Sequence, residues 1–83
     1  MSAVETVRRV VETHAKLTVP IGTLADDSDL YAAGMTSHAS VNVMLAVEDA
    51  FDIEFPDALL TKSTFCTIGS ISAAVEGLLE AAA

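Results

Sequence analysis

The sequence has little positive charge and a single cysteine. Four Lys or Arg stand against twelve Asp or Glu, giving a formal net charge of −8, and three of the four cations (Arg8, Arg9 and Lys16) fall in the first sixteen residues. So few cations argue against nucleic acid and anionic membrane as binding targets, because phosphate affinity rests on Lys and Arg. The acidity suits protein partners that offer basic patches, found quickly through long-range attraction. A single cysteine, Cys66, excludes an internal disulfide and leads us to expect a reducing, cytoplasmic setting. His14, His38 and Cys66 are scattered and match no metal-ligand spacing. The acids of "DDSD" lack the glycine and distal glutamate of a calcium loop. No apolar run approaches membrane-spanning length, and no charged stretch leads into a signal-type apolar segment. With 83 residues, the expected organisation is one domain over 1–83, too small for a deep catalytic cleft and its supporting shell.

What is present is apolar, at 52% of the residues, which is enough for a core and too much for a disordered acidic tail. The opening "SAVETVRRVVETHAKL" predicts an amphipathic helix. Val4, Val7, Val10, Val11, His14 and Leu17 share one face, with Arg8, Arg9 and Glu12 on the wet side. Ser2 and Glu5 fit a capping box at its start. Pro20 and Gly22 end the helix. A long loop from Val19 to about Thr36 follows, and Ile21, Leu24, Leu30 and Tyr31 are spaced through it to pin it over a core. Ordered loops of that length are uncommon in small domains and often functional.

"SHASVNVMLAVEDAF", Ser37 to Phe51, predicts a second helix. Its apolar residues Val41, Met44, Leu45, Val47 and Phe51 cover more than one stripe, so one edge can face either the core or a partner. Pro56 and Asp57 suit the start of a short helical piece, "DALLTK". Thr67 caps a last helix whose apolar face is Ile68, Ile71, Val75, Leu78 and Leu79. No strand pair is evident. The expected fold is all-α: a small four-helix bundle, three main helices and a short one, with a long first loop.

The stretch "GMTSHAS", Gly34 to Ser40, admits three readings. As a nucleophile and its base, Ser37 and His38 fail, because neighbours on a helix project about 100° apart and a third orienting group is missing. As a loop-to-helix junction the stretch is ordinary, with Gly34 allowing a tight turn and Thr36 or Ser37 capping the helix. As an attachment point it is chemically sensible, since a helix N-terminus favours a phosphate ester. Ser40 lies a turn inside the helix, where a serine usually serves as a small surface residue.

On these residues the chain resembles the acyl carrier and peptidyl carrier proteins, whose pattern is Gly-x-Asp-Ser-Leu, an acidic amphipathic helix ending in Glu-Glu-x-Phe, then an Ile-Pro-like turn. The corresponding run is "GMTSHASVNVMLAVEDAFDIEFP". Gly34 matches the glycine, Ser37 the modified serine, Glu48, Asp49 and Phe51 the helix end, and Phe55-Pro56 the turn. Thr36 replaces the family's acid, and His38 its apolar residue. "DLYAAGMTSHASVNVMLAVEDAFDIEFPDALL" is similar to a group of bacterial aminoacyl carriers charged by stand-alone amino acid:carrier protein ligases. The resemblance implies a non-enzymatic carrier with no catalytic residue and no metal. It implies 4′-phosphopantetheine on Ser37 and a docking surface made of His38, Val41, Asn42, Leu45, Glu48 and Asp49. The implied partners are a phosphopantetheinyl transferase, an acyl- or amino acid:carrier protein ligase and a downstream acyl-accepting enzyme, met by a monomer. The competing expectation is an acidic helical interaction module in which Ser37 is only a cap.

Overall fold

The computed structural model describes residues 3–82 and contains four α-helices: α1 Ala3–His14, α2 Ser37–Phe51, α3 Lys62–Phe65 and α4 Ile68–Ala82. Among the described residues there is no strand. The expected capping box at the start of α1 involves Ser2, which lies outside the described residues. α1 packs against both α2 and α4, and α3 packs against α4.

The core is aliphatic. Val7, Val11 and Ala15 from the first helical stretch meet Val43 and Val47 of α2 and Ile68, Ile71 and Val75 of α4, all fully buried. Spacings of three and four place each set on one helical face. Leu30 and Met35 close the core from the loop side. Phe55 and Phe65 complete it, with ring centroids 5.4 Å apart and planes at 70°, an edge-to-face pair. In α2 the packing decides which of the apolar edges is buried. Its buried stripe is Ala39, Val43 and Val47, while Val41 and Leu45 are 50% and 53% exposed.

The long loop is held by Arg8, which the sequence placed among solvated residues. Its guanidinium donates to the Asp26 carboxylate at 2.9 and 3.2 Å and to the carbonyls of Ile21 and Leu24 at 3.3 and 2.7 Å. A planar fork with five donors can satisfy several loop acceptors at once, which explains why this side chain is half-buried. The loop also docks on the start of α4. Gly69 N donates to Asp26 O at 2.8 Å, and Leu30 N donates to Cys66 O at 2.7 Å. A Cβ on Gly69 would stand 3.2 Å from Asp26 O, so the missing side chain permits this approach. At the loop's far end Gly34 adopts φ +113°, a region that L side chains rarely enter, with Thr18 against it.

The short helix sits one step later than expected. "DALLTK" is not a helix as a whole: Asp57–Leu59 forms a 3₁₀ turn, and α3 begins after Thr61, whose Oγ1 accepts from Thr64 N. Pro56 starts the turn with its fixed φ, but the side-chain cap that an α-helix needs arrives only at Thr61.

Candidate functional site

α2 begins where the loop ends, and its first residues decide what the site offers. Thr36 is the N-cap: its Oγ1 accepts from Ala39 N at 3.0 Å, and its carbonyl accepts from Ser40 N at 2.9 Å. Ser37 is therefore the first helical residue and not the cap, which corrects one of the two capping assignments and removes the reading in which Ser37 is only a cap. Ser37 is exposed, and its hydroxyl makes no hydrogen bond among the described residues. Its backbone carbonyl accepts from Ser40 Oγ at 2.7 Å. That back-bond explains why Ser40, which lines the same groove, is half-buried and occupied. The N–H groups of Ser37 and His38 likewise have no partner among the described residues.

Beside Ser37 runs an open groove of about 370 Å³, within the range of small-ligand sites. Val41 and Met44 of α2 form one wall, with Tyr31 of the loop and Leu60, Lys62 and Phe65 of the α3 segment opposite. Lys62 Nζ lies 4.9 Å from the centre of the Tyr31 ring, a cation–π contact.

The six residues expected to meet a partner do not behave alike. His38, Leu45 and Asp49 are exposed and follow one helical line at i, i+7 and i+11, flanked by exposed Val41 and half-buried Asn42. Asn42, Leu45 and Asp49 also border a second groove, shared with Val10 and His14 of α1. Glu48 is turned inward at the end of α2, where its Oε2 accepts from Phe55 N at 2.8 Å. It fixes the turn that brings Phe55 under Phe65, and Asp52, at φ 54°, ends the helix beside it. A carboxylate bonded to a half-buried amide serves the fold whatever else it touches.

Sequence reasoning missed the far wall of the Ser37 groove: Tyr31, Leu60 and Lys62. One signal was available, since Lys62 is the one Lys or Arg after residue 16. Cys66 is half-buried and not fully buried as its type suggested. Partial desolvation, then the Asp29 carboxylate 3.6 Å from its sulfur, push the thiol above its ordinary pKa. It is thus a poor thiolate and a poor nucleophile. Among the described residues no cluster of His, Cys, Asp and Glu could hold a metal ion. No described helix is long and apolar enough to cross a membrane.

The chain was compared with known proteins. A family profile described as "phosphopantetheine attachment site" matches residues 5–75. An aminoacyl carrier protein of Agrobacterium fabrum is 47% identical over 75 residues, 90% of either chain. The carrier protein of Agrobacterium tumefaciens, in a crystal structure with an engineered Bradyrhizobium japonicum glycine:[carrier protein] ligase and ATP, superposes with a TM-score of 0.86 at 46% identity, covering 89% of this chain and 96% of that one. The solution structure of a holo acyl carrier protein from Nitrosomonas europaea superposes with a TM-score of 0.83 at 33% identity, covering 96% and 99%.

Proposed function

The chain belongs to the phosphopantetheine attachment-site family, and from that premise we propose that it is a single-domain carrier of aminoacyl groups with Ser37 as its attachment residue. The observation that carries this reading is the Ser37 hydroxyl itself, exposed and unbonded at the start of a fifteen-residue helix whose cap is supplied by its neighbour. The residues present fit the group. A phosphodiester on Ser37 would meet the free N–H groups of Ser37 and His38 and the positive end of the α2 dipole. Bound there, 4′-phosphopantetheine supplies a terminal thiol that holds an acyl group as a thioester.

The chain's own part is to present that group, and we assign it no catalytic residue. The hydroxyl of Ser37 has no base beside it, so activation falls to a phosphopantetheinyl transferase. His38, Val41, Asn42, Leu45 and Asp49 form the docking line for that enzyme, for an amino acid:carrier protein ligase and for an acyl-accepting enzyme downstream, with Glu48 at its edge. The face is small and part apolar, which suits contacts weak enough to be released between partners. Tethering makes each transfer effectively intramolecular once a partner has docked. The aminoacyl cargo is supported by the aminoacyl carrier relative and by the neighbour solved with a glycine ligase. We place the protein in the cytoplasm, where coenzyme A and ATP are available.

The test is ATP-dependent loading. Phosphopantetheinylated protein, a glycine:carrier protein ligase, ATP and labelled glycine should yield protein-bound label that hydroxylamine releases, as thioesters require. Apo protein and Ser37→Ala should stay unlabelled. Label that resists hydroxylamine, or that appears on Ser37→Ala, would contradict the reading.

A further inference from the structure

The groove beside Ser37 has an unusual charge for this protein. Twelve carboxylates outnumber four Lys and Arg along the chain, yet none of the twelve lines the groove, while one of the four cations, Lys62, does. The rest of its lining is apolar or hydroxylic, and Ser37 itself forms one end. Asp29, close in sequence to Tyr31, does not line the groove: its Oδ1 accepts from the backbone N–H groups of Tyr31 and Ala32 and from the Cys66 thiol. Lys62 lies over the Tyr31 face on the groove wall, and among the described residues no acid pairs with it.

These facts bear on what can lie in the groove. An uncharged chain end gains apolar contact with Met44, Leu60 and Phe65 at no electrostatic cost. An ammonium loses hydration there, finds no carboxylate and meets a like charge. An aminoacyl group differs from an ordinary short acyl group in that ammonium. Resting on the assignment of Ser37 above, we propose that Lys62 makes this groove a charge filter: it admits an uncharged arm terminus and keeps a cationic aminoacyl terminus in solvent, where a partner enzyme can take it.

Propionyl and glycyl thioesters are nearly isosteric and differ in the charged amine, so they form the test pair. Isotope-labelled protein is loaded with each from the corresponding coenzyme A derivative by a broad-specificity transferase. Intact mass verifies attachment, so a failure at Ser37 is recognised separately from a failure of the filter. NMR resonances of Tyr31, Met44, Leu60 and Phe65 are then compared with those of the apo protein. The propionyl form should shift them, and the glycyl form should leave them near their apo positions. Lys62→Gln should raise occupancy by the glycyl form about fivefold, the scale of one unit-charge repulsion at a solvent-exposed site. Lys62→Arg should retain the exclusion. Equal shifts in the propionyl and glycyl forms, no shifts in either, or no response to Lys62→Gln would each overturn the proposal.

Discussion

Two helices in this protein start with the same chemistry and end up with opposite roles. α2 opens Thr36-Ser37-His38-Ala39, and α4 opens Thr67-Ile68-Gly69-Ser70. In each the threonine Oγ1 accepts from the amide three residues on, at 3.0 Å from Ala39 N and 2.9 Å from Ser70 N. At α4 the side chains and the Gly69 amide are then closed off. Ile68 is buried, Gly69 N is taken by Asp26 O, and Ser70 Oγ reaches the carbonyls of Thr64 and Thr67. At α2 the positions matching Ile68 and Gly69 are exposed Ser37 and His38, whose N–H groups and the Ser37 hydroxyl have no partner among the described residues. The cap makes a helix start in both places. The difference between them is the loop, which bonds back onto the start of α4 through Asp26 and leaves the first amides of α2 uncovered.

That contrast can be broken from the closed side first. Gly69→Val puts a branched side chain where even a Cβ would stand 3.2 Å from the Asp26 carbonyl. The loop must move, and we expect a loss of about 1–3 kcal/mol in a denaturant titration, the usual cost of overpacking. The two caps come next. Thr67→Val should cost about 2 kcal/mol, because Thr67 Oγ1 also bonds Ser70 Oγ in a half-buried network. Thr36→Val, at an exposed cap, should cost about 1 kcal/mol. Equal losses for the pair would mean that the loop does not reinforce the α4 cap. The smallest effect belongs to Ser37→Ala, expected within about 0.5 kcal/mol of the parent, since the hydroxyl holds nothing in place.

How much of this was legible in the sequence follows from the range of the interactions involved. Local signals carried far: α2 spans Ser37–Phe51 as read, and Thr67 caps α4. Alternating polar and apolar faces made α1 readable too, although Ala15, fully buried, was overlooked because alanine gives a weak pattern. α2 was harder, being apolar on several faces. Val43 is in the core while Val41 and Leu45 face solvent, and only the neighbours decide which. The loop's fastening by Arg8 joins residues thirteen to eighteen apart, which no periodicity reveals. Ser37 was singled out by the family resemblance, at its spacing from Gly34 and Phe51, but the groove beside it needs Tyr31, Met44 and Lys62 brought together from three segments. Glu48 illustrates the same limit. The resemblance made it a docking acid and placed a turn at Phe55-Pro56, but that the Glu48 side chain bonds into that turn, at Phe55 N, is a contact seven residues apart that no local pattern shows.

The central claim, that the open helix start bears the arm at Ser37, is tested most directly by intact mass. The parent and Ser37→Ala are each incubated with coenzyme A and a broad-specificity phosphopantetheinyl transferase. We predict a gain of one phosphopantetheine on the parent and none on Ser37→Ala, with the variant as stably folded as the parent. The same gain on Ser37→Ala, or none on the folded parent with transferase from the native host, would contradict the account.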